Sequence, residues 1–166
     1  MRVMALLALS LATACGNAGT NSDQTSPPDG PPLPADAAIL DGAQAPTLLR
    51  QCSRSTPEPG ESNWQPSSAD IAGLEAALPA ALAAEGRRET TGAPQGWLRQ
   101  YAGIVRGGRR FIYGNFVPAG VGRDSAQPDR WRTQVQTICD GGPSFFGVEY
   151  DVEARRFTHM AFNGGF

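Results

Sequence analysis

Residues 97–118, WLRQYAGIVRGGRRFIYGNFVP, decide the fold. Two runs rich in β-branched and aromatic residues meet at Gly107-Gly108, a dipeptide that fits a two-residue hairpin turn. The register about that turn sets Arg106 opposite Arg109, and it lets Gly103 and Gly114 make room for Ile112 and Tyr101 across the strands. Working outward toward the C-terminus, residues 131–139, WRTQVQTIC, read as a third strand with Trp131, Thr133, Val135, Thr137 and Cys139 on one side. After the turn residues DGG, the runs SFFGVEYD and RRFTHMAFN predict a second hairpin across Val152 to Arg155.

Outward in the other direction the period changes from two to three and four. In residues 66–88, PSSADIAGLEAALPAALAAEGRR, the residues Ile71, Leu74, Leu78 and Leu82 fall on one face of a helix and predict its core stripe. Ser67 followed by Asp70 predicts a capping box with Asp in place of Glu, and Gly86 supplies a stop. Pro79 removes a backbone donor, so a kink or two short helices are expected there. A main helix followed by about five antiparallel strands defines an α+β domain in which the helix covers one face of the sheet. That order of elements loosely resembles cystatin-like folds.

The chain has 166 residues, with 14 basic residues, all Arg, against 16 acidic ones. The small acidic excess argues against nucleic acid as a partner. Residues 15–46 lack aromatic side chains and contain the cluster SPPDGPPLP, too little apolar surface to offset ordering entropy. They read as a disordered Pro-rich tether, with the α+β domain spanning residues 47–166.

Ahead of the tether, Arg2 supplies a positive charge, residues 3–11 form a short apolar run, and Ala12-Thr13-Ala14 places small residues before Cys15. Residues 1–14 therefore read as a secretory signal, too short to be a membrane span. The stretch resembles the signal peptide of bacterial lipoproteins, whose lipobox ends in a cysteine that receives a diacylglycerol and becomes the acylated N-terminus. Ala12 stands where that family usually has Leu. Ala12-x-Ala14 also satisfies an ordinary signal peptidase, which would leave Cys15 as a free thiol. Cysteine arithmetic bears on the choice: with Cys15 lipidated, Cys52 and Cys139 can form one disulfide in an oxidising compartment, and otherwise one cysteine is always odd.

The resemblance implies a lipid anchor in the bacterial envelope. Gly16, by likeness to enterobacterial lipoproteins, implies the outer membrane, facing the periplasm. The C-terminal block, with Cys139-Asp140-Gly141-Gly142, Phe145-Phe146, residues 148–151 and Phe162-Asn163-Gly164, is similar to that of uncharacterised proteobacterial lipoproteins and implies no activity.

Candidate chemistry is sparse. His159 is the single histidine. With Asp151 paired to Arg156 it falls among apolar neighbours, while a slip of one residue would bring Glu149 beside it. Glu149 and Asp151 lie two apart on a strand and so share a side, as paired acids would, although Asp151 also suits the start of a turn. There is no phosphate loop, nucleophile elbow or HExxH pattern, and one histidine with two distant cysteines makes no zinc site. No cofactor or metal is expected, and the chain reads as a non-catalytic binding or structural domain. The alternatives are an inhibitor of an exported hydrolase, presenting RGGRR or DGGPSFF as a wedge, and a small enzyme built on His159 and Glu149. Arg106, Arg109 and Arg110 at the hairpin tip form a possible partner-binding loop for an envelope protein, lipid headgroup or glycan. They equally suit a charged tip that prevents pairing with other chains.

Overall fold

The computed structural model describes residues 30–165. The expected signal segment, residues 1–14, and the expected lipidation site Cys15 lie outside these residues. The fold is α+β, a six-stranded mixed sheet with one main helix. The strands are β1 (Ala37–Ile39), β2 (Ser62–Trp64), β3 (Trp97–Arg106), β4 (Arg109–Pro118), β5 (Phe146–Asp151) and β6 (Arg156–Phe162). The helices are α1 (Ala45–Leu48), α2 (Ser68–Ala84) and α3 (Ala119–Gly122). The sheet runs β1-β3-β4-β5-β6, with β2 also on β3.

Both hairpins form where the sequence places them. Arg106 pairs with Arg109 about Gly107 and Gly108, whose φ angles of 58° and 71° are the left-handed values a two-residue turn requires. Asp151 pairs with Arg156. The glycine roles divide: Gly114 does lie across from Tyr101, whose ring a Cβ would meet at 3.0 Å, whereas Gly103 makes room for Trp64 of β2.

Helix α2 starts with the predicted capping box. The Asp70 N–H donates to Ser67 Oγ at 3.2 Å, and the Ser67 N–H donates to the Asp70 carboxylate at 2.8 Å. Gly86, at φ 65°, follows its end. Pro79 lies inside the helix without dividing it. Leu74 and Leu78 before the proline and Leu82 after it are buried in one cluster, so packing holds both halves against the sheet. That cluster continues through Tyr101, Ile112, Phe116 and Phe146, with Phe116 and Phe146 stacked at a centroid distance of 4.4 Å.

Two expectations are corrected. Ala37–Ile39, assigned to the tether, is a buried strand parallel to β3, and Leu40 and Leu48 beyond it join a second core cluster. Ordered chain therefore begins well before residue 47, because a short Ala/Ile/Leu run completes an otherwise open edge of β3. The parallel pairing also makes the sheet mixed rather than wholly antiparallel. Residues 131–139 are not a strand: a 3-10 turn at Arg130–Arg132 leads into chain that crosses the sheet face. Both edges of β4, the strand before it, are already occupied, by β3 and β5. Its side chains do not share one side; Trp131 is buried, Val135 half-buried, and Thr133, Thr137 and Cys139 are exposed.

Candidate functional site

The sheet face opposite α2 carries most of the polar chemistry. The odd-numbered positions of β4 and β5 place Tyr113, Asn115, Glu149 and Asp151 there, and Gln100 reaches it from β3. Residues 130–138 lie over this face as a strap, and the amides beneath it serve its backbone. Gln100 Nε2 donates to the carbonyls of Trp131 and Gln134 at 2.6 and 2.7 Å. Asn115 Nδ2 donates to the Gln136 carbonyl at 2.9 Å, and Asn163 Nδ2 to that of Ile138 at 2.7 Å. The Gln136 N–H donates to Gln100 Oε1 at 2.8 Å. Arg54 joins the set, donating to Asn163 Oδ1 at 2.6 Å and Asn115 Oδ1 at 2.5 Å. Irregular chain over a buried surface must find partners for its backbone groups, and here side chains supply what a ladder would have supplied.

The disulfide expected between Cys52 and Cys139 forms, with Cα atoms 5.4 Å apart. Both cysteines are exposed, and the bridge ties the end of the strap to the chain leading to β2. Sequence reasoning found the disulfide but missed Arg54, Gln100, Asn115, Gln136 and Asn163. The available signal was an amide at an inward position of an otherwise apolar strand, as in residues 97–103 and 113–117.

The hairpin-tip arginines face each other as predicted, and each has its own carboxylate. Arg106 Nη2 donates to Glu149 Oε2 at 2.7 Å, Arg109 pairs with Asp151, and Arg110 Nε donates to Glu153 Oε1 at 2.9 Å. Glu149 and Asp151 are 2% and 0% exposed. Burial of a carboxylate is tolerable only with such partners, so the tip arginines are counterions of the sheet before they can be ligands for anything else. The Arg110 hydrogen bond holds the Glu153 carboxyl below its usual range.

The pairing of His159 is corrected. A bulge between Glu149 and Tyr150 shifts the register by one residue and puts Glu149 across from His159, instead of the apolar neighbours that unbroken alternation from Asp151–Arg156 would give. The two do not form an ion pair. Glu149 Oε2 accepts from Arg106 and, at 2.7 Å, from the Thr158 hydroxyl, while His159 Nε2 lies 3.1 Å from the Ser55 carbonyl oxygen. Glu149 Oε1 is buried with no partner among the described residues. In DGGPSFF, Phe145 and Phe146 are buried and Phe145 packs on Gly141, while residues 140–144 are exposed or half-buried. Burial also raises the hydroxyl pKa of Tyr113, against the opposing pull of Arg54.

A cavity of about 330 Å³ lies between residues 121–124 and the strap. Arg123, Arg130, Trp131 and Gln136 line it, and Val121 on its rim is the one large apolar side chain exposed among the described residues, at 60%. Among the described residues no group of three His, Cys, Asp or Glu side chains is placed to hold a metal, and no helix is long and apolar enough to cross a membrane. Comparison with protein-family models, with curated proteins and with solved structures found no match for this chain.

Proposed function

We propose that the protein is a lipid-anchored lipoprotein of the bacterial cell envelope, held through Cys15 in the outer membrane, with a non-catalytic binding domain facing the periplasm. The observation that carries this reading is the Cys52–Cys139 disulfide. The chain has three cysteines, and with two of them bridged the odd one is Cys15, directly after the apolar leader. A disulfide also suits an exported chain. The non-catalytic part is supported by the commitments of the titratable groups: Glu149 and Asp151 neutralise Arg106 and Arg109, and His159 is engaged by a backbone carbonyl.

Intact mass spectrometry of the membrane fraction tests the anchor. The expected mature chain begins at Cys15 and carries added acyl mass, and Cys15→Ser loses both that mass and the membrane association. A wild-type chain cut at the same bond without acyl mass overturns the reading.

A further inference from the structure

The strap is fixed at its two ends and lightly held between them. At its start Trp131 is buried with Ala38 and Leu98, and Arg132 donates to the carbonyls of Ala35 and Ala37 at 2.6 and 3.5 Å. Phe145 is buried beyond its far end. Every residue from 132 to 144 is exposed or half-buried, and so is every residue from 50 to 57, the segment at the other end of the Cys52–Cys139 bridge. Hydrogen bonds and the bridge therefore hold these two segments more than apolar burial does. The segments also share their partners. Arg54, two residues after Cys52, donates to Asn115 and Asn163, the amides that donate in turn to the Gln136 and Ile138 carbonyls. Beside the bridge the Gly164 N–H donates to the Ser53 carbonyl at 3.0 Å, and the Ser53 hydroxyl to Asp140 Oδ1 at 3.2 Å. Each of these bonds contributes less than a cross-link over such a long stretch of chain.

We infer that Cys52–Cys139 is a redox-operated latch: reduction by a dithiol lets residues 133–141 lift from the sheet while α2 and the strands stay folded. Both cysteines are exposed, so a reductant thiolate can reach the bridge. Its attack on one sulfur breaks the S–S bond and forms a mixed disulfide, and the other cysteine leaves as a thiolate that takes up a proton. The second thiol of the reductant then displaces the remaining cysteine sulfur. The chain gains two electrons and two protons, and the reductant ends as its own disulfide. Opening is cheap on this face because Gln100, Asn115 and Asn163 are amides that water can serve in place of the strap. Lifting α2 would instead bare Tyr101, Ile112 and Phe116. The latch goes beyond the proposed function and holds whether or not Cys15 is acylated.

The test uses the full chain carrying Cys15→Ser, whose only cysteines are then Cys52 and Cys139, with dithiothreitol as the reductant and no denaturant. Iodoacetamide is expected to add two carbamidomethyl groups after reduction and none before it, read by intact mass. Hydrogen exchange followed by NMR reports the opening. The Gln136 N–H, which donates to Gln100 Oε1 when the bridge is closed, should lose protection at least about tenfold relative to the α2 amides. Taking the ratio removes the fall in global stability that loss of any disulfide brings. Reoxidation should restore the ratio. Cys52→Ala/Cys139→Ala should show the open pattern without reductant and no response to dithiothreitol. A bridge that is reduced only in urea overturns the latch. So does a reduced chain whose Gln136 amide keeps its relative protection, which would make the bridge a staple, or one whose α2 amides lose protection as fully as Gln136, which would make it a requirement of the fold.

Discussion

Over one face of the sheet lies helix α2, and over the other lies the strap of residues 130–138, and the two covers are held by different forces. The helix satisfies its own backbone, so the surface beneath it can be almost wholly apolar: Tyr101, Ile112, Phe116, Phe146 and Val148 meet Ile71, Leu74, Leu78 and Leu82. The strap satisfies little of its own backbone. The sheet beneath it must therefore mix apolar residues with Gln100, Asn115 and Asn163, and a disulfide fastens its end. Irregular chain can cover a sheet when the sheet supplies the hydrogen bonds.

Mutations can break this contrast. Phe116→Ala removes a fully buried ring from the helix-covered face and should cost about 3–5 kcal/mol in urea unfolding, because it deletes apolar contact and leaves a void. Asn115→Ala should cost less, about 1–3 kcal/mol, because the Gln136 carbonyl loses its side-chain donor, while Arg54 loses one acceptor and keeps Asn163. Its distinguishing mark is local. Hydrogen exchange of the Gln136 amide should accelerate while that of the α2 amides follows only the change in global stability, whereas Phe116→Ala should speed both.

The smallest effect separates two tyrosines. Burial raises the Tyr101 hydroxyl well above its ordinary value of 10.0, helped by the Glu75 carboxylate, which accepts its hydrogen bond at 2.7 Å. Tyr113, on the strap side, is raised by burial but opposed by Arg54. In both, the folded state holds the neutral form while the unfolded chain ionises near 10. Their stabilisation is complete below that pH and is lost as pH rises through the folded values. The melting temperature should thus fall above pH ~10. Tyr101→Phe should flatten that fall more than Tyr113→Phe does, and equal slopes for the two variants would contradict the contrast.

Legibility divides along the same line. The capping box at Ser67, the stripe on α2, both hairpins and the disulfide pair are set by neighbours a few residues apart or by parity, so they could be read in advance. What failed was non-local. Residues 131–139 alternate as a strand should, but the edge of β4 they would reach next is taken by β5, which comes later in the chain. The same holds for Ala37–Ile39, whose partner β3 lies some 60 residues away. The arginines at residues 106–110 looked unbalanced because their carboxylates are on β5 and in the turn after it.

By itself, then, the sequence determined the α+β class, the helix and its cap, the two hairpins and the expectation of an exported, anchored chain, because local periodicity, turn chemistry and cysteine count carry these. Only the tertiary structure decided which face is polar, that a strap and not a strand covers it, and that a bulge at Glu149 sets His159 across from a residue whose carboxylate Arg106 already holds, while its ring meets the Ser55 carbonyl. Those outcomes follow from competition for hydrogen-bonding edges and counterions between segments distant in sequence, and no local pattern records which competitor wins.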